Sequence, residues 1–278
     1  MIPAGWEPIL SRVTPRTPEG LHGDAYPFSV PAVSSMSEID LSQPITYFVG
    51  ENGSGKSTLL EGIAVATEVP TAGSQQSVAD TTLASARNLA DKLRLVWKKR
   101  SRQGLYMRAE DFFGYQRQMA RDDARIAREK AEFLGGRPKF ADEDASAHPD
   151  EAEAQSFLKT YDSKSHGEAF LELFLQRVSR KGLFVLDEPE GPLSPKRQLA
   201  LLALLARAIK NGAQFIIATH SPILLSMPSA AIYSFDTTPM SKVNRDELEH
   251  VTFTRDFLVA PERYLKHLFD EEPKDAAR

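Results

Sequence analysis

At 278 residues the chain is long enough for one large or two ordinary domains, and 41% hydrophobic residues can fill a substantial core. The complete lack of cysteine excludes disulfides, thiolate metal sites and cysteine redox chemistry, and suits a reducing cytoplasm. A formal net charge of -4 carries no chain-wide signal for nucleic acid, so any basic surface must be local.

The N-terminus MIPAGWEPILSRVTPRTPEG lacks the basic start and apolar stretch of a signal peptide. The longest apolar window, Leu199 to Ile209, is interrupted by Arg207 and falls short of the roughly 20 apolar residues that span a bilayer. The expected location is the cytoplasm, with no direct membrane insertion. Residues 1–44 are rich in Pro, Ser and Gly, with extended-looking pieces at Pro27 to Val33 and Ile45 to Val49 that read as an edge strand and the first central strand. Ser57 to Ala66 follows at helical spacing, and EVPTAGSQQS marks a loop.

Residues 82–135 carry mixed helical signals, broken by a strand-like stretch from Gly104 to Met107. Between Lys92 and Lys139 stand 14 Lys or Arg against 6 Asp or Glu, whereas ADEDASAHPDEAEA (141–154) is acidic and reads as a loop. The pattern then tightens: a helix around Glu168 to Val178, a strand LFVL (183–186), a helix from Pro195 to Lys210, a strand QFIIA (214–218) and a further strand from Ala231 to Phe235. Continuous apolar strands alternating with helices predict an α/β fold, its mainly parallel central sheet covered on both faces. The tail DEEPKDAAR (270–278) is expected to fray.

Gly50-Glu-Asn52-Gly53-Ser54-Gly55-Lys56-Ser57-Thr58 lies between a strand and a helix and fits G-x-x-x-x-G-K-[ST]. Glycines let the backbone wrap phosphates so that successive N–H groups point inward, and the helix N-terminus adds its positive end. Lys56 then supplies a point charge to the β and γ phosphates, and Ser57 a magnesium ligand. The motif alone leaves adenosine against guanosine open, and hydrolysis against binding.

GLFVLDEPE (182–190) ends a buried strand in two adjacent carboxylates, where open α/β sheets bind ligands. Asp187 is the candidate to hold magnesium, and Glu188 the candidate to orient the attacking water. Ser165 is a good N-cap for the amphipathic helix that follows it, which makes that helix N-terminus a second anion site.

The order of SHGEAFLELFL (165–175), DEPEGPLSP (187–195) and ATHSPILL (218–225) resembles the ATP-binding-cassette ATPases. In that family a Ser-Gly-Gly-Gln signature contacts the γ-phosphate held by the partner subunit, and a histidine after the next strand senses the same phosphate. Ser165 and Gly167 match the signature's serine and second glycine, while His166 and Glu168 stand at its first-glycine and glutamine positions. His220 matches the switch histidine, and Glu190 to Pro195, with Leu193 and Ser194, matches the D-loop that touches the opposite subunit. The altered signature points away from a typical transporter subunit and toward the compact AAA-like ATPases related to chromosome-maintenance ATPases. The resemblance extends from YPFSVPAV (26–33) to RDFLVAPERYLKHLF (255–269).

The resemblance implies a P-loop fold of the cassette-ATPase type in one domain, 1–278. Residues 1–80 would hold N-terminal strands, with an antiparallel β part, and the phosphate loop. Residues 81–180 would form a helical subdomain ending in the signature, and 181–269 would hold the acidic strand, D-loop and switch histidine. ATP and Mg2+ are the implied ligands, and ATP binding implies a homodimer. The family's magnesium-shell glutamine has no clear counterpart: Gln116 and Gln118 lie beyond the expected strand end, and Arg108 or Glu110 is nearer the place. Tyr26 and Phe28 are candidates to stack on adenine, with core packing the alternative for Phe28.

About a hundred residues separate phosphate loop and signature without a sustained heptad run, so long coiled-coil arms are not expected. Arg117, Arg121, Arg125 and Arg128 recur at helical spacing. They read first as a solvated helix face with pairs such as Arg125 to Glu129, and second as contacts to nucleic acid phosphates. His22, His148, His250 and His267 show no ligand spacing, so no transition-metal site is expected. Three functions remain in view: an ATPase that remodels a protein or nucleic acid partner, the ATP-binding subunit of a membrane transporter, and a non-hydrolysing nucleotide-gated module.

Overall fold

The computed structural model describes residues 3, 5–17, 20–71, 84–101, 103–108, 125, 170, 171, 174, 175, 177, 178 and 181–269. Two sheets organise them. Strands β1 (Leu10–Pro15), β2 (Ile39–Asp40) and β4 (Leu93–Trp97) form an antiparallel sheet in the order β2-β1-β4. Strands β3 (Ile45–Val49), β5 (Gly104–Arg108), β6 (Leu183–Asp187), β7 (Gln214–Ala218), β8 (Ala231–Ser234) and β9 (Ser241–Lys242) form the central sheet, in the order β5-β6-β7-β3-β8-β9. Every neighbouring pair in the central sheet runs parallel except β8 and β9.

The central strands are apolar on both faces because both faces are covered, as parallel sheets require. Phe48, Val185 and Ile216 point into one core with helix α2 (Lys56–Thr67), helix α3 (Ala84–Ala90) and the antiparallel sheet. Tyr47, Phe184, Phe215 and Ile217 point into the other, against helix α4 (Pro195–Lys210) and the helical residues Phe170 and Phe174. The rings of Phe174, Phe215 and Phe184 stack in sequence across that second core. Helices α5 (Glu249–Val259) and α6 (Glu262–Phe269) close the C-terminal side, with Phe253 and Phe257 both against Tyr264.

One polar side chain fastens the two sheets together. Gln214, buried on β7, accepts from the backbone N–H groups of Ile9 and Leu10 at 2.8 and 2.9 Å and donates to the carbonyls of Leu10 and Leu41 at 2.8 and 2.6 Å. Both its oxygen lone pairs and both its amide hydrogens are used, which is how a buried amide avoids a desolvation penalty.

The expected strand from Pro27 to Val33 is absent: turns lead into a short helix α1 (Pro31–Ser34) with Pro31 in its first turn. A proline there loses nothing, because the first N–H groups of a helix have no intrahelical partner. The N-terminal strand is instead β1, which lies in the middle of the antiparallel sheet and not at an edge, and β4 falls where only helix was expected, between α3 and β5. Strands β3, β6, β7 and β8 and helices α2 and α4 lie where the apolar patterns put them. The acidic stretch 141–154 and the tail 270–278 lie outside the described residues.

Candidate functional site

Three adjacent strand ends build the site. β3 runs into the loop 50–55, β6 ends at Asp187, and β7, lying between them, runs into Thr219 and His220. The ladder continues past the strands, since Glu188 N–H donates to the Ala218 carbonyl at 2.9 Å and Thr219 N–H to the Phe48 carbonyl at 3.1 Å. The three exits are therefore held in fixed register.

After β3 the chain turns through Gly55 at φ +102, a left-handed conformation, and enters α2. α2 begins with no side-chain cap and no acidic residue in its first turn. An uncapped helix start with its N–H groups exposed to a loop favours an anion. Buried Lys56 folds back so that Nζ donates to the carbonyls of Gly50 and Glu51 at 2.7 and 2.8 Å. Burial lowers its pKa, while Glu188, Asp187, Asp236 and Glu190 pull it back up. An ammonium on two carbonyls can exchange them for phosphate oxygens with little motion of the backbone.

Ser57 Oγ donates to Asp187 Oδ1 at 3.2 Å. The pair fits a hard cation: a hydroxyl and a carboxylate, both oxygen donors, side by side at the mouth of the anion site. Burial raises the Asp187 pKa to about 6; the Ser57 hydrogen bond opposes it, the Glu188 charge adds to it, and Arg108 and Lys56 oppose it again. A bound cation would remove that penalty.

Glu188 sits at φ +48, a left-handed conformation uncommon for a residue with a side chain, and its Oε1 lies 3.6 Å from His220 Nε2. Nε2 of His220 is buried without a hydrogen-bond partner among the described residues. Strained backbone and orphaned polar atoms next to one another mark groups held for a ligand rather than for stability.

Beside the loop opens a cavity of about 670 Å³, walled by Gly50, Asn52, His220, Asp236, His250 and Phe253 among others. Asp236, at the exit of β8, accepts from Glu51 N–H at 2.7 Å and so anchors the loop. His250, in the first turn of α5, has its pKa lowered by burial first and then by His220, while Asp236 raises it and Lys56 lowers it.

Of the expected site residues, Gly50, Asn52, Gly53, Ser54, Gly55, Lys56, Ser57 and Thr58 lie in one loop and helix start, and Asp187, Glu188 and His220 converge on it. Leu193 is buried and Ser194 exposed ahead of α4. Ser165, His166, Gly167 and Glu168 lie outside the described residues, as do Glu110, Gln116, Gln118, Arg117, Arg121 and Arg128. Tyr26 is 54% exposed and its hydroxyl lies 3.2 Å from Thr58 Oγ1, whereas Phe28 packs on the core.

Arg108 stands in register with Asp187 on the neighbouring strand, and its guanidinium meets Glu61 of α2 at 2.9 Å, both side chains largely buried. Its Nε donates to the Tyr106 hydroxyl at 2.9 Å. The roles of Glu61, Asp236 and His250 had no local signature. The one available hint was positional, since Asp236 leaves β8 at the sheet edge where Asp187 leaves β6.

A parallel sheet in which the glycine-loop strand and the acidic strand flank a third, histidine-bearing strand defines a P-loop nucleotide-binding domain of the ATPase class. A family model described as "AAA domain" matches residues 34–172, half of the chain, and a second, described as an AAA domain of a candidate AbiEii toxin of a type IV toxin–antitoxin system, matches residues 168–226. The chain belongs to the AAA-domain family of P-loop ATPases. No curated protein matches the chain. Among solved structures, it is similar to cbiO1 from Clostridium perfringens, part of the ABC transporter complex cbiONQ, with 14% identity, a TM-score of 0.42, and coverage of 95% of this chain and 99% of that one. It is also similar to a candidate metal-chelate-type ABC transporter in an inward-facing conformation, with 16% identity, a TM-score of 0.39, and coverage of 77% of each chain. Among the described residues, no helix is long and apolar enough to cross a membrane.

Proposed function

We propose that this protein binds Mg-ATP and hydrolyses it in a composite site formed by two copies arranged head to tail, and that closure and opening of the pair act on a protein or nucleic acid partner. The observation that carries the reading is the convergence of Lys56, Ser57, Asp187, Glu188 and His220 at three neighbouring strand ends. Lys56 leaves the Gly50 and Glu51 carbonyls for the β and γ phosphates, and the uncapped first turn of α2 donates its N–H groups to them. Magnesium, when bound at Ser57 and Asp187, would offset the charge gathering on the phosphates. Glu188 orients the attacking water, and His220, beside Glu188, reads the terminal phosphate. Phosphoryl transfer asks little more of a protein than such positioning and charge stabilisation.

The pairing of two copies is what the resemblance to the cassette ATPases implies. The loop lines a cavity that His220 also lines, and in the proposed pair Ser165 to Glu168 of a second copy would cover the γ-phosphate there, near Ser194. A γ-phosphate gripped by both copies binds the closed state better than the open one, which is the differential affinity that any ligand-driven closure needs.

The test measures steady-state ATP hydrolysis and oligomer size over a range of protein concentrations, for wild type, Glu188→Gln and Lys56→Ala. Turnover rising more steeply than first order in protein, an ATP-bound dimer that accumulates in Glu188→Gln, and no nucleotide binding in Lys56→Ala are expected. A wild type that binds ATP but remains monomeric and idle would sink the composite-site reading.

A further inference from the structure

The loop carrying His220 is tied to the D-loop segment through the side chains of Glu190 and Gln198. Glu190 Oε1 accepts two short hydrogen bonds, from Thr219 Oγ1 at 2.6 Å and from the backbone N–H of His220 at 2.7 Å. A second tie runs through Gln198 in the first turn of α4: its Oε1 accepts from Ser221 Oγ at 2.6 Å, and its Nε2 donates to the Leu193 carbonyl at 3.1 Å. Thr219 and Ser221 are buried, and their hydroxyls also accept from the loop's own backbone, Thr219 Oγ1 from Ser221 N–H and Ser221 Oγ from Leu224 N–H. The three residues after β7, Thr219, His220 and Ser221, are thus held by groups 23 to 30 positions earlier in the chain.

We infer that Glu190 and Gln198 are positioning residues that join the D-loop, 190–195, to the loop carrying His220, so that the two shift as one piece. The inference rests on the proposed hydrolytic reading for its consequence and on hydrogen bonding for its substance. A carboxylate accepting from a hydroxyl and an amide in a buried setting makes charge-assisted bonds about twice as strong as neutral ones. Its second oxygen is buried without a partner among the described residues, so the carboxylate is held there at some desolvation penalty. That is a poor arrangement for stability alone. Because the His220 N–H is one of the two donors, the rotation of Glu190 sets where the imidazole stands relative to Glu188, 3.6 Å away. A second copy pressing on the exposed Ser194 would move Glu190 and, through it, His220. Assembly and alignment of the switch would then be one event.

The experiment compares wild type, Glu190→Ala, Glu190→Gln and Thr219→Val, each also in a His220→Ala background, by ATP turnover and by backbone amide exchange over residues 217–226 without nucleotide. Glu190→Ala is expected to lower kcat about 10-fold or more with KM changed by less than about 3-fold, and to speed exchange of the His220 amide about 10-fold. Glu190→Gln keeps an oxygen acceptor and stays within about 3-fold of wild type on both readouts, and Thr219→Val, which removes one donor without removing Glu190, falls between. In the His220→Ala background, Glu190→Ala adds less than about 2-fold, because a residue acting through another has nothing left to act on. Additive losses in that background, an unchanged His220 amide in Glu190→Ala, or a Glu190→Gln as impaired as Glu190→Ala would each overturn the inference. A wild type without turnover would instead overturn the hydrolytic reading, and the exchange comparison, which needs no nucleotide, would still decide the linkage.

Discussion

The Ser57 hydroxyl reaches Asp187 across 3.2 Å, joining the first turn of α2 to the end of β6 over 130 positions of sequence. This contact places a buried carboxylate where stability alone would not put one. Burial holds its pKa near 6, above its ordinary 3.8. A carboxyl raised in the folded state contributes stability that is fully present below its unfolded pKa and is lost as pH rises through the folded one. The charge is therefore a burden on the metal-free protein above about pH 6.

Asp187→Asn removes that burden. Without magnesium the variant is expected to be more stable than wild type at pH 8 by about 2 kcal/mol, a gain that shrinks toward pH 4, where wild-type Asp187 is protonated. Urea denaturation at the two pH values checks this. Adding Mg-ATP should reverse the order, since a ligand bound only by the folded wild type stabilises it by mass action. An Asp187→Asn protein no more stable than wild type at pH 8 would mean that the carboxylate is better solvated than its burial implies.

Gln214 yields a second prediction, of opposite sign. Gln214→Leu keeps the side-chain volume but leaves Ile9 N–H, Leu10 N–H and the Leu10 and Leu41 carbonyls without the partner that now joins the two sheets. Four net hydrogen bonds of about 1 kcal/mol each give an expected loss of about 3–5 kcal/mol, a large share of the stability of an ordinary domain. Chemical denaturation should show a lower midpoint with little change in slope. A loss below about 1 kcal/mol would mean that the antiparallel sheet finds other partners.

The contrast between these residues shows what the sequence could and could not yield. The phosphate loop and the acidic strand were legible because each is a contiguous motif on a strand or at its exit, and period and composition report such short stretches directly, whereas His220 stood out only through the motif order that resembles the cassette ATPases. Gln214 reads in sequence as the polar first residue of QFIIA, and nothing local says that it reaches Leu10 and Leu41. β1 hid because only Leu10 and Val13 of its six residues are buried, three positions apart among Ser11, Arg12, Thr14 and Pro15, which is not the period of a strand. β4 follows α3 so closely that the helical period ran over it. Pro27 to Val33 had strand-like composition, but Pro31 acts as the first residue of a helix, a start signal that apolar content outweighed. The ties of Glu190 to the His220 loop and of Arg108 to Glu61 are tertiary facts that single-sequence periodicity does not contain.

Gly55 carries a third prediction. Its φ of +102 disfavours any side chain, and a β-carbon there would stand 2.6 Å from Val30 Cγ1. Gly55→Ala is expected to cost about 1–3 kcal/mol and to abolish nucleotide binding, because relief requires moving the first turn of α2. Adding Val30→Ala removes the clash but not the dihedral strain, so the double variant should recover part of the stability and none of the affinity. Thermal melts and titration with a fluorescent ATP analogue separate the two effects. Recovered affinity in the double variant would show that the clash, and not the backbone angle, shapes the cradle.

Glu188 combines strain and chemistry in one residue. At φ +48 its backbone pays for a conformation that glycine adopts freely, and the side chain stands about half exposed beside His220, so packing contributes little to hold it. The left-handed turn carries the carboxylate to within 3.6 Å of His220 Nε2. Glu188→Gly and Glu188→Ala both delete the carboxylate and should both lose turnover, yet they differ in backbone freedom. Glu188→Gly is expected to be the more stable of the two by about 1 kcal/mol, the ordinary penalty for a β-carbon in the left-handed region, offset in part by glycine's greater unfolded-state entropy. Glu188→Gln keeps both the strain and the shape and should match wild type in stability while failing to turn over. Melting the three variants without nucleotide tests the order. Equal stability of Glu188→Gly and Glu188→Ala would show that the left-handed turn after β6 is unstrained, and the aim of Glu188 would then be a consequence of His220 and not of the backbone.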